Sequence, residues 1–291
     1  MRILITGAKG QLGRSIKARL PEHWELIATD SKTLDITNQE VAASMVKNFH
    51  PDAVVNAAAY TSFSGSQIDI DRTFAINAYG ARNLAQAARG VGAKFIHLSS
   101  DYVFSGHSRI PYLETDAPAP LSSYGQSKLS GELLALAAHP DTLLIRTSWM
   151  FSEYGNNSVA VLLKQAAAQQ ELSLVDNQAA CPTYAGDVAD LIIGLLGRAE
   201  LPGGILHYCG DKALSAYKFA QTVFHHEAER NPDFTAPALR AITLDETDPS
   251  AKRPQYSALN CDRARELGFA PSDWQAALPA VLAALAEQTP G

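Results

Sequence analysis

The feature that most constrains this chain is a glycine-rich turn directly after a short apolar run near its start. Residues 2–6 are apolar and β-favouring, which predicts a buried strand. Residues 11–20 then carry apolar side chains at helical spacing, which predicts a helix. Gly7, Gly10 and Gly13 occupy the turn between the two. Strand, glycine turn and helix in this order are typical of a dinucleotide-binding unit.

Each glycine has a separate steric task in such a turn. Gly7 allows a tight turn off the strand, Gly10 allows the backbone to approach a pyrophosphate, and Gly13 allows the helix to pack closely on the sheet. The anion lies at the helix N-terminus, where free N–H groups and the positive end of the helix dipole meet. The spacing therefore predicts pyrophosphate binding at this turn.

An acidic residue follows the second predicted strand, at residues 24–29. Asp30 lies about 20 residues beyond the glycine turn, where a carboxylate binds the 2′-hydroxyl of an adenosine ribose. Because a carboxylate repels a 2′-phosphate, we expect NADH to be accepted at least as readily as NADPH. Lys32 is a candidate to offset part of that repulsion.

Strand-like and helix-like segments alternate over the first half of the chain. The predicted segments are a helix from near Asn38, a strand at 53–59, a helix at 71–89, a strand at 94–100, a helix from Tyr124 and a strand at 142–147. This alternation predicts an α/β fold, a Rossmann-type doubly wound parallel sheet with helices on both faces.

The pattern becomes less regular after Trp149. A strand at 172–175 is expected to continue the sheet, whereas residues 201–291 predict a smaller C-terminal substrate lobe that closes over the strand ends. We therefore assign residues 1–200 to the dinucleotide-binding domain. The segment from about 150 to 171 is open to either part.

Composition excludes several classes of protein. The formal charge is −6 and no basic run occurs, which argues against a nucleic-acid partner. No apolar segment approaches the roughly 20 residues that span a bilayer, and the chain enters a strand without a charged leader, so we expect a cytoplasmic protein without a membrane partner. Cys181, Cys209 and Cys261 are widely spaced, which predicts reduced, buried thiols and no metal site.

A tyrosine and a lysine lie four residues apart at the start of a predicted helix. Tyr124 and Lys128 therefore share one face of that helix. An ammonium group nearby is expected to lower the pKa of the phenol, which ordinarily lies near 10. Ser100, at the end of a strand, is placed to polarise a carbonyl oxygen. The three side chains predict protonation of an alkoxide as a hydride arrives from a nicotinamide.

These motifs together resemble the extended short-chain dehydrogenase/reductase superfamily, and within it the dTDP-4-dehydrorhamnose reductase family. The similarity runs over essentially the whole chain. The matching stretches are residues 7–13, 51–61, 77 with 80–84, 99–104, 112–116, 124–132, 146–149, 155–157, 182–183 and 253–254.

The resemblance implies NAD(P)H-dependent reduction at carbon 4 of a nucleotide-linked 4-keto-6-deoxysugar, with dTDP-4-dehydro-L-rhamnose as the expected substrate. It makes Tyr124 the proton donor and Lys128 its partner, with Ser100 where the family usually has threonine. The implied NADH or NADPH contacts are Gly7, Gly10, Gln11, Leu12, Asp30, Asp35, Ile36, Ala59, Tyr60, Thr61, Asn77, Leu98, Tyr124 and Lys128. The implied substrate contacts are Ser100, Asp101, Tyr102, Trp149, Asn156, Asn157 and Arg253.

The sequence departs from the family pattern in two places. Residues 62–67 replace the usual Val-Asp-x-Ala-Glu stretch, with Ser64 and Gln67 in place of the charged pair, which leaves the sugar specificity open. Position 15 is Ser15, where some members have a glutamate that helps bind magnesium between subunits. A metal-bridged dimer is therefore not predicted, and either a monomer or a homodimer is expected.

Other functions stay open. A dehydratase needs an acid–base pair of Asp and Glu, but Tyr102 follows Asp101 here. An epimerase acting on a different nucleotide sugar, or a non-catalytic relative that regulates another enzyme, is compatible with the residues. Trp149 is compatible with stacking on the substrate and equally with a place in the core.

Overall fold

The computed structural model describes residues 1–247 and 252–288, and the side chain of Ser64 lies outside the described part. The strands are β1 (Arg2–Thr6), β2 (Glu25–Ala28), β3 (Ala53–Asn56), β4 (Lys94–Ser100), β5 (Leu143–Thr147), β6 (Met150–Phe151), β7 (Glu171–Val175), β8 (Thr183–Tyr184), β9 (Gly204–His207) and β10 (Ala238–Ile242). The helices are α1 (Gln11–Arg19), α2 (Gln39–Phe49), α3 (Phe63–Ile68), α4 (Ile70–Phe74), α5 (Ala81–Gly90), α6 (Ser123–Ala138), α7 (Ser158–Ala168), α8 (Ala185–Leu196), α9 (Ala216–Arg230), α10 (Asp262–Glu266) and α11 (Trp274–Gln288).

Six parallel strands form the main sheet, in the order β2-β1-β3-β4-β5-β9. The chain runs from β1 to β2 on one side and returns to β3 on the other, so the strand order reverses at β1. A crevice opens outside the carboxyl ends of the strands at such a reversal, and ligands of open α/β sheets bind there. The Rossmann-type parallel sheet predicted from the sequence is confirmed.

The strands are apolar on both faces because helices cover both faces. Ile3 and Ile5 belong to the cluster that includes α1 and α8. Leu4, between them, belongs to the opposite cluster, which includes α2, α5 and α6. Successive strand side chains point to opposite faces, so three consecutive buried residues require a layer of helices on each side.

Two predicted elements differ from the structure. The strand predicted at 172–175 does not continue the main sheet, because β7 pairs in parallel with β10 in a separate two-stranded sheet. The helix predicted at 71–89 is interrupted by a π-helical segment at Ala75–Gly80. π-Helical turns within helices frequently occur at functional sites.

A third apolar cluster forms beside the main sheet. It includes Phe151, Leu172, Phe219 and Trp274, which come from β6, β7, α9 and α11. The C-terminal helix α11 places its apolar side in this cluster. The strand β9 pairs with β5 although it follows the boundary predicted near residue 200, so the main sheet extends past that boundary. The division of the chain into two lobes stays a prediction.

The three cysteines, far apart in sequence, lie close together in the fold. Cys209 and Cys261 have sulfur atoms 3.6 Å apart, and Cys181 is buried beside them. All three are free thiols. Among the residues that the structure describes, no group of three or more His, Cys, Asp or Glu side chains is arranged to hold a metal ion.

Candidate active site

A large cleft lies at the carboxyl ends of β1, β3 and β4 and has a volume of about 1060 Å³. The structure brings almost all of the predicted cofactor contacts into its wall. Those that line it are Gly7, Gly10, Gln11, Leu12, Asp30, Asp35, Ile36, Ala59, Tyr60, Thr61, Leu98, Tyr124 and Lys128.

The glycine turn leaves no room for side chains on its inner side. Gly7 has a φ of +70°, and a Cβ there would lie 2.6 Å from the carbonyl oxygen of Ala57. A Cβ on Gly13 would lie 2.5 Å from the carbonyl oxygen of Gly7. The N-cap of α1 is Gly10, which has no side chain to cap the N–H groups of the first turn. These donors at the edge of the cleft fit a pyrophosphate group.

Asp30 is held at the far end of the turn by several donors. Its carboxylate accepts hydrogen bonds from the backbone N–H groups of Lys32, at 2.9 Å, and Thr33, at 3.1 Å. The ammonium group of Lys9 forms an ion pair with the same carboxylate. The Lys9 contact and these N–H groups lower the pKa of Asp30 to about 2. The expected compensating charge therefore comes from Lys9 in the turn, whereas Lys32 contributes its backbone.

Asn77 lies in the π-helical segment and does not line the cleft. Its side-chain oxygen accepts a hydrogen bond from the N–H of Tyr60 at 2.7 Å, and its amide nitrogen donates to the carbonyl of Tyr60 at 3.1 Å. The same nitrogen donates to the hydroxyl of Ser127 at 2.9 Å. Asn77 thus fixes the segment after β3 against α6, and its contact with the cofactor stays a prediction.

Tyr124 and Lys128 lie one turn apart near the start of α6. Ser122 caps this helix by accepting a hydrogen bond from the N–H of Gly125 at 3.2 Å. A Cβ on Gly125 would lie 2.2 Å from the carbonyl oxygen of Tyr102. Only glycine therefore lets α6 approach the end of β4 closely enough for the hydroxyl groups of Tyr124 and Ser100 to hydrogen-bond.

The predicted lowering of the pKa of Tyr124 is wrong for this structure. Burial raises that pKa, the charge of Asp101 raises it further, and the hydrogen bond with Ser100 lowers it only in part. The ammonium group of Lys128 donates instead to the carbonyl of Leu98 at 2.6 Å. Burial lowers the pKa of Lys128 to about 8. Tyr124 is consequently a protonated phenol at neutral pH.

Asp101 lies beside Ser100 in a pocket of hydroxyl groups. Ser100 and Thr147 are paired in register at the carboxyl ends of β4 and β5, so the residues that follow them emerge side by side. Asp101 Oδ1 accepts from Ser100 at 3.0 Å. Asp101 Oδ2 accepts from Ser148 at 2.9 Å and from Ser257 at 2.6 Å. Burial raises the pKa of Asp101 to about 6 although these three hydrogen bonds oppose the shift.

A smaller cavity of about 260 Å³ adjoins the cleft. It is lined by Thr61, Phe63, Ser100, Asp101, Tyr102, Tyr124, Trp149 and Arg253. Five of these residues, including Ser100 and Tyr124, also line the larger cleft. The hydroxyl groups of Ser100 and Tyr124 therefore lie at the boundary between the two spaces.

The outer wall of the smaller cavity is aromatic with one cation. The guanidinium carbon of Arg253 lies 4.9 Å from the centre of the Phe63 ring. Phe63 in turn meets Tyr102 edge to face at 5.7 Å, and Tyr102 meets Tyr124 in the same way at 5.8 Å. The altered segment at 62–67 thus contributes an aromatic ring, that of Phe63, to the wall of this cavity.

Trp149 has a backbone conformation that large side chains rarely adopt, with a φ of +39°. One side of its ring meets Phe219 at 6.5 Å, and the residue also lines both cavities. The two interpretations of Trp149 are therefore compatible, since it packs on the third cluster and faces the open space. Strained backbone at such a position is typical of functional sites.

The two predicted asparagines separate. Asn156 lines the larger cleft. Asn157 instead caps α7, with its side-chain oxygen accepting from the N–H groups of Val159 and Ala160 at 3.1 and 3.2 Å. The Asn157 side chain is buried and lines neither cavity.

Sequence reasoning missed three contributors to the site. Lys9 was within the glycine turn, but only its ion pair with Asp30 shows its importance. Ser148 lies inside a stretch that matches the family pattern, and that position was its only signal. Ser257 had no signal, because it is 156 residues from Asp101 in the sequence.

Comparison with known proteins identifies the family. A family model described as the RmlD substrate binding domain matches residues 1–287. The chain belongs to this family. The membership predicted from the sequence motifs is therefore confirmed.

Named members of the family match along nearly the whole chain. A dTDP-4-dehydrorhamnose reductase of Aggregatibacter actinomycetemcomitans is 38% identical, over 95% of this chain and 97% of its own length. A probable dTDP-4,6-dihydroxy-2-methyloxan-3-one 4-ketoreductase of Streptomyces antibioticus is 37% identical, over 98% of this chain and 97% of its own. The crystal structure of a dTDP-4-dehydrorhamnose reductase of Bacillus anthracis in complex with NADP has a TM-score of 0.89 at 33% identity, covering 97% of this chain and 98% of that chain.

Across the described ranges, 1–247 and 252–288, no helix is both long and apolar enough to cross a membrane.

Proposed function

We propose that this chain is an NADPH- or NADH-dependent reductase of a nucleotide-linked 4-keto-6-deoxysugar, converting dTDP-4-dehydro-L-rhamnose to dTDP-L-rhamnose. One observation carries the proposal: Ser100 and Tyr124 lie in the wall shared by a cleft of dinucleotide size and a smaller cavity beside it. A ketone held in the smaller cavity would have its oxygen at these hydroxyl groups. The names of the similar proteins support the same substrate class.

The residues of the larger cleft fit a nicotinamide dinucleotide. The turn from Gly7 to Gly13 would hold the pyrophosphate, Asp30 with Lys9 would hold the adenosine ribose, and Lys128 would hold the nicotinamide ribose. The adenine and its ribose would be enclosed by Asp35, Ile36 and the segment after β3. The bound nicotinamide supplies a hydride to the substrate carbonyl.

Tyr124 has the protonation state that a reductase requires. As the carbonyl carbon is reduced, its oxygen becomes basic and takes the phenolic proton of Tyr124. Burial raises the pKa of Tyr124, so the proton is retained until the oxygen becomes basic enough to accept it. Lys128 lies on the same helix face and donates to the carbonyl of Leu98, so its proposed role is to hold the nicotinamide ribose beside Tyr124.

The smaller cavity supplies contacts suited to a sugar nucleotide. Trp149 and Tyr102 offer ring faces and edges to the apolar side of a deoxysugar. Arg253 is the one cation among the described residues that line it, and a guanidinium group suits the diphosphate of the nucleotide. We therefore assign Asp101, Tyr102, Trp149, Asn156 and Arg253 to the substrate side.

A second substrate deserves equal testing because of the aromatic wall. Phe63 contributes an aromatic ring to the smaller cavity, and a similar protein from Streptomyces antibioticus is named as a probable 4-ketoreductase of a different dTDP-linked sugar. An apolar wall favours a sugar with fewer hydroxyl groups, because unpaired hydroxyl groups are costly to bury.

The test is a panel assay with purified protein. Each 4-keto-6-deoxysugar nucleotide is incubated with NADPH or NADH, loss of reduced nicotinamide absorbance is followed, and the product sugar is identified by NMR. Stoichiometric oxidation of the nicotinamide with a product that carries a hydroxyl group at carbon 4 supports the reductase. Redox-neutral epimerisation with retained cofactor would favour the epimerase, and no turnover with stable co-purification of another enzyme would favour a regulatory relative.

The proposal includes a cytoplasmic enzyme that works as a monomer or homodimer, with no nucleic acid or membrane as partner. Light scattering of the purified protein measures the oligomeric state directly.

A further inference from the structure

The hydroxyl group of Ser100 has its only proton in a hydrogen bond to Asp101. It donates that proton to Asp101 Oδ1 at 3.0 Å. Its oxygen accepts from the N–H of Tyr102 at 3.2 Å, and the hydroxyl of Tyr124 lies within hydrogen-bonding reach of it. A serine hydroxyl has one proton, so no second donation is available. In this state Ser100 cannot donate to a ketone oxygen.

The state of Asp101 decides where the Ser100 proton goes. An ionised carboxylate can only accept hydrogen bonds, so the Ser100 hydroxyl donates to it. Any hydrogen bond between Tyr124 and Ser100 is then donated by Tyr124. A protonated carboxyl group carries one proton of its own. It can donate that proton to Ser100, which then turns its own O–H toward Tyr124 and the substrate oxygen.

The surroundings of Asp101 contain one influence that favours its protonated form and another that favours its ionised form. The residue is 2% exposed, and in the described part of the chain it forms no ion pair with a cation. Burial without a paired cation disfavours the carboxylate, whereas the hydroxyl groups of Ser148 and Ser257 favour it. These opposing effects leave the pKa of Asp101 at about 6.

We propose that Asp101 is a positioning residue that acts through Ser100: when protonated, it turns the Ser100 hydroxyl toward the reacting oxygen and returns a proton to Tyr124 after turnover. This proposal rests on the proposed reductase function. It explains why a buried carboxylate is surrounded by serines contributed by three separate segments, one of them 156 residues away.

The proton transfer balances without any further reactant. After Tyr124 has given its proton to the substrate oxygen, the Ser100 O–H bond breaks and a new Tyr124 O–H bond forms. The O–H bond of the Asp101 carboxyl group breaks at the same time and restores the hydroxyl of Ser100. Asp101 is left as a carboxylate and is reprotonated from bulk solvent once the product leaves, which supplies the one proton that the reduction consumes. No electron is transferred in this sequence.

The groups that face Asp101 do not titrate in the same range. Tyr102 follows it in the chain, and burial raises the pKa of Tyr102 to about 12. The pKa of Tyr124, on α6, is also raised by burial, while that of Lys128 on the same helix is lowered to about 8. Arg253 lies across the smaller cavity. A transition near pH 6 can therefore be assigned to Asp101.

Infrared titration of the protein without substrate gives a readout that does not depend on turnover. A buried protonated carboxyl group has a C=O stretch distinct from that of a carboxylate, and we expect this band to disappear as the pH rises through about 6. Asp101→Asn should remove the band. Ser257→Ala should move its midpoint to higher pH, because the hydrogen bond from Ser257 lowers the pKa of Asp101.

The proposal also predicts how the reduction rate depends on pH. In the wild type, kcat should fall as the pH rises through the midpoint of the infrared titration, which gives the plot of kcat against pH a descending limb. Asp101→Asn should abolish this limb and lower kcat at low pH by roughly tenfold, less than the 10²–10⁴ of direct general acid catalysis. Ser257→Ala should fold and shift the limb upward, in step with its infrared band.

Ser272→Ala is the matched control. Ser272 donates to Asp187 at 2.6 Å, the same distance as from Ser257 to Asp101, but neither residue lines either cavity. This variant should leave the limb and the band unchanged.

The proposal is overturned if the limb persists in Asp101→Asn, or if Ser257→Ala moves neither midpoint. A wild type that reduces no keto sugar would reject the proposed function instead, and the infrared titration would still decide how Asp101 is protonated.

Discussion

The ammonium group of Lys9 forms an ion pair with the carboxylate of Asp30 across the glycine turn. The residue expected to exclude a 2′-phosphate is therefore already neutralised by a flexible, exposed cation. We expect Lys9 to turn from Asp30 to the 2′-phosphate when NADPH binds, so that the pair acts as a selector between the two cofactors. On this basis we expect both NADH and NADPH to be accepted.

We expect Lys9→Ala to weaken the binding of NADPH more than that of NADH, by roughly two- to fivefold in Kd, which is the scale of one exposed ion pair. Asp30→Ala should have the opposite effect. It should weaken the binding of NADH, and it should free Lys9 to bind the 2′-phosphate of NADPH. Kd values for both cofactors measured by fluorescence quenching check this. Lys17→Ala is the control, since Lys17 is exposed on α1 and does not line the cleft. Equal effects of Lys9→Ala on the two cofactors would contradict the selector.

Tyr124→Phe should lower kcat by about 10²–10⁴-fold, because the proton donor is lost. The Kd for NADPH should change little, since the ring remains in its buried place. Single-turnover rates and cofactor titration separate the two quantities. Tyr102→Phe, which removes a neighbouring buried phenol in the same cavity, should lose far less. A Tyr124→Phe enzyme of near-normal rate would show that another group donates the proton.

Gly13→Ala should destabilise the protein by about 1–3 kcal/mol, the usual cost of overpacking. Its Cβ would lie 2.5 Å from a backbone oxygen in a turn that cannot move without losing the fit to pyrophosphate. Gly90→Ala is the matched control on α5, where nothing lies within 4 Å of the new Cβ. That variant should be neutral or slightly stabilising. Urea unfolding of both variants, with cofactor titration, gives the comparison, and equal losses would refute the packing argument.

The buried ion pair between Glu132 and Arg146 links α6 to β5. Two hydrogen bonds, of 2.8 and 2.7 Å, join the side chains, and each is 2% exposed. Arg146→Met should lower the free energy of unfolding by about 3–5 kcal/mol, because it leaves Glu132 buried without its cation. Adding Glu132→Leu should restore much of the loss. A double variant as unstable as the single one would show that packing, not charge, dominates.

Much of the fold was accessible from local sequence patterns. The strand at 2–6, the turn at Gly7 and the helix after it are decided by residues within one short segment, and they were predicted correctly. The strand at 172–175 was assigned to the wrong sheet, because a strand pattern shows that a segment is extended but not which strand will pair with it. Its partner, β10, is far along the chain.

The sequence by itself determined the cofactor cleft and the order of Ser100, Tyr124 and Lys128, because glycine sterics and helical spacing act over a few residues. Only the tertiary structure decided how these groups are protonated. The pKa of Tyr124 depends on burial by distant segments, and that of Asp101 depends on hydroxyl groups from Ser148 and Ser257. Desolvation and hydrogen bonding are set by neighbours in space, and no spacing along the chain records them.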